Sequence, residues 1–281
     1  MPSFDTPEPI TATVDVVAAD VRITAADRSD TVVDVRPSDA SDAEDVKAAE
    51  QTRVEYGHGQ LLVRAPRVRS WLTRSTGGSI DVTIELPAGS QLRGAGQLAD
   101  FQAAGTLGES RVKTGLGQVR LERTGAVSLK TGIGDITVDA VAGHAEITAG
   151  SGDLRVRELE RTAVLKSSNG DTWVGTAGGD LRVHAANGDI TIDAARASVV
   201  AKSANGDVRL GEAVRGSVVL ETSLGDLEVG IPEGTAAWLD VRAHAGKVHN
   251  ALEASDAPAP SAETVEVRAR TSAGDVVVRR P

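Results

Sequence analysis

The sequence has no cysteine, which excludes a disulfide framework, a thiol nucleophile and cysteine-ligated zinc. Aromatic residues are almost as scarce: three Trp, one Tyr and two Phe in 281 residues. Large sandwich and α/β cores draw heavily on ring volume, so this interior must be filled by thinner, aliphatic side chains. No stretch approaches the ~18 consecutive apolar residues of a membrane-spanning helix. The start, Met1-Pro2-Ser3-Phe4-Asp5, carries neither the basic nor the apolar segment of a secretory signal. The expectation is a cytoplasmic protein without direct membrane insertion, brought to an envelope only by another polypeptide. Basic residues are outnumbered, 30 against 40 acidic, and the net charge of −10 disfavours a nucleic-acid partner.

Glycine is abundant, at 30 residues, and it is periodic. A phrase recurs from residue 114: a hydroxyl or small residue, two variable residues, Gly, usually Asp, then alternating apolar positions. Thr131-Gly-Ile-Gly134-Asp-Ile-Thr-Val138 and Ala185-Ala-Asn-Gly188-Asp-Ile-Thr-Ile192 are two of its copies. The key glycines are Gly117, Gly134, Gly152, Gly170, Gly188, Gly206 and Gly225, a spacing of about 18 residues that identifies a repeat architecture. Aligned on this glycine, whole columns are aliphatic. Two residues after it stand Val119, Ile136, Leu154, Thr172, Ile190, Val208 and Leu227, and five before it Val112, Leu129, Ile147, Leu165, Val183, Ala201 and Leu220. Apolar positions alternate within each segment, the period of a half-buried strand.

Such strands suit an antiparallel meander or a solenoid. A meander sets equivalent positions against one another in reversed order, whereas a solenoid lays each over its counterpart ~4.8 Å away. Columns that keep their chemistry favour stacking. The reading is an all-β fold, a single-stranded right-handed β-helix (β-solenoid) of ~18 residues per coil with irregular capping strands at the N-terminal end. The chain is expected to form one continuous domain. Residues 1–91 hold capping strands, with a short helix or loop at 38–53 where Ser41 and Glu44 fit a capping box. Residues 92–230 hold the regular coils and 231–281 the C-terminal coils and cap. Leu86-Pro-Ala-Gly-Ser90 and Ile231-Pro-Glu-Gly-Thr235 echo one another near the two ends of the array.

The strongest polar feature is the aspartate after the glycine: Asp135, Asp153, Asp171, Asp189, Asp207, Asp226 and, in the last copy, Asp275. It reads either as a carboxylate ladder for a cation or as a structural device in which each carboxylate accepts backbone N–H groups of its own turn. The second reading is preferred, with Lys113, Lys130, Lys166 and Lys202 as counter-charges, and no cofactor or metal is expected. Three residues after the glycine, an outward column holds Arg155, Trp173 and Arg209; with Arg182 it forms a candidate interaction surface. Trp71 beside Arg69 is a second candidate. Glycine pairs such as Gly115-Leu-Gly117 lack the third glycine and the helix of a dinucleotide fingerprint. No Gly-x-Ser-x-Gly elbow occurs, and the five histidines share no metal-ligand spacing on a helix. No catalytic residue is assigned.

The Ser/Thr-x-x-Gly-Asp-hydrophobic-x-hydrophobic phrase, with hydrophobic-Pro-x-Gly-Ser at 86–90 ahead of it, resembles the bacterial adhesin-like β-strand-repeat domain, also called the toastrack domain. The resemblance covers residues 10–281 and is strongest from 114 to 229. It implies a non-catalytic β-helical module, in some members attached to membrane segments and linked to envelope-stress signalling or surface adhesion. It defines no catalytic residues, so none are carried over. The functional expectation is an interaction scaffold for an envelope-associated protein, with self-association through terminal coils open. The alternative is a β-helix that binds or degrades an acidic polysaccharide.

Overall fold

The computed structural model describes residues 2–66, 78–252 and 263–281. Trp71 and Arg69 lie outside these residues. The chain divides into two compact units, Met1–Val138 and Asp139–Pro281.

In the second unit every coil contributes two short strands, and each strand pairs in parallel with its counterparts. Thr172 lies beside Ile190 and Ile190 beside Val208, so the register advances one coil of 18 residues per step. The aliphatic columns form the interior: Leu154, Ile190 and Val208 in one strand column and Ile147, Leu165 and Val183 in the other have no exposed surface. Stacking like on like is what a half-buried strand with period two achieves when its neighbours run parallel. Thr172 is the polar intruder. It is 1% exposed, and its Oγ1 has no hydrogen-bond partner among the described residues. Valine has the same shape without the desolvated hydroxyl, so Thr172→Val is expected to raise stability by about 1–2 kcal/mol in urea denaturation.

The repeat departs from sequence order at the C-terminal end. Glu263–Ala273 pairs with Gly216–Leu224 on one edge and with Thr235–Ala245 on the other. Val276–Arg279 likewise separates Leu227–Gly230 from Val248–Asn250. The last coil in the sequence is therefore inserted beneath the last but one. Its end is tied down by Arg279, which donates to Glu228 (2.6 Å), and by Arg280, which donates to the carbonyls of Ile231 and Pro232.

The first unit repeats this device at the N-terminus. Thr11–Asp15 lies between Gln60–Arg64 and the beginning of Gln91–Leu107. Ala18–Ala26 lies between Ile80–Pro87 and the second half of that same long strand. The outer strands are covered in antiparallel fashion, Ile80–Pro87 by Asp30–Pro37 and Gln60–Arg64 by Arg53–Gly57. Ser3–Asp5 closes the edge of Asp30–Pro37, and Phe4 meets Tyr56 with ring centroids 5.2 Å apart. Phe101 is the one aromatic side chain fully buried among the described residues, and glycine makes room for it: a Cβ on Gly94 would lie 2.7 Å from its ring.

A helix, Ala43–Gln51, fills the expected segment, but its cap is Asp42 rather than Ser41. The Asp42 carboxylate accepts the Glu44 N–H at 2.8 Å, while the Ser41 hydroxyl is donated to Asp39. An aspartate one residue nearer the helix satisfies its open amides, so the serine is free for the preceding turn. The two Pro-x-Gly turns are equivalent in conformation. Gly89 and Gly234 have φ of 80° and 83°, and the N–H groups of Ser90 and Thr235 are donated to the carbonyls of Pro87 and Pro232.

Candidate interaction surface

The glycine after each first strand has φ between 124° and 145° in Gly117, Gly134, Gly152, Gly170, Gly188, Gly206 and Gly225. At Gly188 this opens the corner of the coil and brings the backbone against the coil beneath, where a Cβ would lie 2.3 Å from the Gly170 carbonyl oxygen. The aspartates that follow form a ladder between coils. Asp153 Oδ1 accepts the Asp171 N–H, Asp171 accepts that of Asp189, Asp189 that of Asp207, and Asp207 that of Asp226, at 2.7–3.1 Å. Each carboxylate thus serves the amide of the next coil, not of its own turn as the sequence suggested. The ladder follows the inserted order: Asp226 accepts from Asp275, and Asp275 from Lys247. In the first unit Asp100 accepts from Gln118 in the same way.

Hydroxyls run up the inside of the same corner, with Ser203 donating to the Gly188 carbonyl and Thr222 to that of Gly206. Asn187 and Asn205 pass their side-chain amides down the outside, to Asn169 and Asn187. At Lys202 the lysine column finds a partner other than the expected aspartate. Lys202 is paired with Glu221 at 2.6 Å, the residue beside it in the next coil. A side chain on the flat of a strand reaches its lateral neighbour before it reaches the corner.

Lys166, His184 and Lys202 stand side by side on successive strands. Partial burial, then the charges of Lys202, Lys166 and Arg182, hold the His184 pKa below its ordinary 6.5. The folded chain therefore binds fewer protons here than the unfolded one as pH falls through that value, and stability is lost on acidification. His184→Gln is expected to flatten the fall in melting temperature between pH 7 and the folded-state pKa; an unchanged slope would refute the assignment.

The outward column places Trp173 between Arg155 and Thr191, and Thr191 beside Arg209. The Trp173 indole lies over Gly175, where a Cβ would come within 3.2 Å of the ring, and its Nε1 donates to Asp193 at 3.2 Å. Next to it is a shallow hollow of about 430 Å³ lined by Thr191, Asp193, Arg209, Glu212, Arg279 and Pro281, with Gly211 leaving room. Glu228 binds both Arg209 and Arg279. Arg155 is paired with Asp153 at 3.1 Å. Arg182 is elsewhere: it belongs to the other strand column, beside Val164 and Val200. The structure therefore brings Arg155, Trp173 and Arg209 onto one face and leaves Arg182 off it.

Sequence reasoning missed Asp193 and Arg279. The first sits two residues beyond the outward column on the same side of its strand, and the second reaches the hollow only through the inserted coil. A second hollow, of about 320 Å³ in the first unit, is lined by Arg22, Asp34, Arg36, Asp81 and Glu85 among others; its strands lack the 18-residue period that marked the rest. Among the described residues no group of three or more His, Asp or Glu side chains is placed to hold a metal ion. No helix among them is long and apolar enough to cross a membrane.

A family model, Toastrack DUF4097, matches residues 11–279. A comparison with curated proteins finds none that matches. Among solved structures, a candidate adhesin from Bacteroides fragilis NCTC 9343 is 14% identical, with 100% of this chain and 95% of that one covered and a TM-score of 0.35. A candidate lipid-binding protein from Parabacteroides distasonis ATCC 8503 is 10% identical, with 100% and 96% covered and a TM-score of 0.41. A candidate cell-adhesion protein from Clostridium sporogenes ATCC 15579 is 11% identical, with 100% and 98% covered and a TM-score of 0.24. The 18-residue coil, its glycine corner and the match over nearly the whole chain agree: this protein belongs to the Toastrack family.

Proposed function

We propose that this protein is a non-catalytic interaction module, and that a protein partner is gripped by the face carrying Arg155, Trp173 and Arg209. The observation that carries the reading is the contrast between this face and its scaffold. The corner ladders repeat coil after coil and serve the backbone, whereas the outward column changes at each coil and gathers a half-buried indole, two arginines and a glycine-floored hollow at one place. Trp and Arg are the side chains over-represented among residues that dominate binding energy. Trp173→Ala and Arg209→Glu are outward substitutions that leave the buried columns intact. Each is expected to remove the principal partner from an affinity capture out of the native cell, read by mass spectrometry, without lowering the melting temperature by more than a few degrees. Capture that survives both substitutions would refute the proposal.

An indole platform with carboxylate and guanidinium groups beside it also suits a sugar ring, and this supports acidic-polysaccharide binding as a second reading. Titration with a panel of polysaccharides separates the two: saturable binding abolished by Trp173→Ala would replace the protein partner with a glycan.

A further inference from the structure

The outermost coil of the second unit is finished on one side only. Its strand Thr235–Ala245 pairs with Glu263–Ala273 along one edge, and among the described residues no strand pairs with the other. Leu239 stacks on Val267 and Val241 on Ala269, both of which are fully buried, yet Leu239 and Val241 are themselves only half-buried. Val248 is 44% exposed and Trp238 73% exposed. An open edge of 11 residues is a template for a further strand.

The identity of that strand is constrained. A further coil of the same direction would find no carboxylate at the glycine corner to take its amide, as the ladder aspartates do. At that position the outermost coil carries Lys247, which accepts nothing. The outer coil of the first unit is not a receptor either, because antiparallel strands already cover it. A second copy that offers this same edge, with its inward face matched, runs antiparallel. It must match inward side chains to inward and outward to outward, since a one-residue slip exchanges the faces. Outward along this strand stand Trp238, Asp240, Arg242 and His244. If two copies pair about Val241, Asp240 of each faces Arg242 of the other, Trp238 faces His244, and Leu239 faces Ala243. Centring on Asp240 or on Arg242 would set like charges opposite. Asp240 already accepts from Arg270 at 2.9 Å and from Arg242 at 3.1 Å in its own chain, so the second copy's arginine completes an existing cluster. The backbone agrees. The register with Glu263–Ala273 breaks between Ala243 and Ala245, so up to Ala243 the odd-numbered groups face outward, ready to form the hydrogen-bonded pairs 241–241 and 239–243.

We propose that a second copy of this chain docks on this edge, giving a two-fold dimer through antiparallel pairing of Thr235–Ala245 with its counterpart about Val241. The natural chain has no cysteine, so a single one reports without interference. On the axis, a hydrogen-bonded pair brings its Cα atoms to ~5.5 Å, within the span of a disulfide. The expected results are a mass that doubles with concentration in sedimentation of the unaltered full chain, and self-cross-linking of Val241→Cys under mild oxidation. Trp238→Cys, whose counterparts lie far apart in this pairing, is expected to stay single. Arg242→Glu should weaken dimerisation at least tenfold without changing the far-ultraviolet spectrum. A chain that remains monomeric at every concentration overturns the proposal. So does a dimer that ignores Arg242→Glu, or one that cross-links through position 238 as readily as through 241.

Discussion

Val267→Asp is expected to lower stability by about 4 kcal/mol, and Leu239→Asp by less than about 1 kcal/mol. Read along the chain, the opposite ranking would be anticipated, because Leu239 precedes Val267 and a terminal coil is the less buried one. The structure inverts this. Val267 sits between Val218 beneath and Leu239 above and is 0% exposed. A carboxylate there would be surrounded by aliphatic side chains with no donor in reach. Leu239 has a packed neighbour on one side and is half-exposed, so an aspartate can turn to water. The loss at Val267 should also unfasten more of the molecule than its own coil, because the same strand holds both Gly216–Leu224 and Thr235–Ala245. Urea denaturation followed by tryptophan fluorescence, run at sub-micromolar protein, measures both changes. Equal losses, or a larger one at Leu239, would show that the coils are stacked in sequence order.

Gly188→Ala is expected to cost about 3 kcal/mol or more, from two causes that add. The residue has φ of 125°, a conformation that L side chains rarely adopt. Its Cβ would also lie 2.3 Å from the Gly170 carbonyl oxygen and 2.7 Å from the carbon. The obstacle is backbone that is bonded to its own neighbours, so it cannot swing aside as a flexible side chain would. Gly188→Val should be worse, and Ile190→Asp comparably severe, since Ile190 is wholly buried. Two controls bracket the effect. Gly57 has nothing within 4 Å of the point where a methyl group would stand and no positive φ, so Gly57→Ala should change stability by ~0.5 kcal/mol at most. Thr191→Arg, on the outward column, should be nearly silent. Melting temperatures of the set decide the matter: similar losses at 188, 190 and 191 would contradict the assignment of inside and outside.

Much of the site's scaffold could be read from the residues because each inference was local. Alternation of apolar positions told which face of a strand is buried, and the structure buries Ile190, Val208 and Leu154 while leaving Arg155 and Arg209 in solvent. The aspartate column was visible, but its bonding was not. An acceptor can serve its own turn or the next coil, and only the distance between coils chooses. The helix cap moved from Ser41 to Asp42 for a similar reason, two adequate side chains competing for the same amides. Arg182 shares its residue type with Arg155 and Arg209 but sits on the other strand column, a distinction of phase within the coil that residue type does not carry.

The sequence alone determined the coil: its length of about 18 residues, its glycine corner, and which side chains point inward. These follow from strand periodicity and from steric limits on φ, both of which act over a few residues. The tertiary structure alone decided which coils are neighbours at the two ends, placing Thr11–Asp15 and Glu263–Ala273 inside their stacks rather than at the margins. Parallel pairing between like coils is made of backbone hydrogen bonds and aliphatic contacts that are much the same for any pair. Order among them is therefore set by how the whole end closes, with a terminal strand held on both edges.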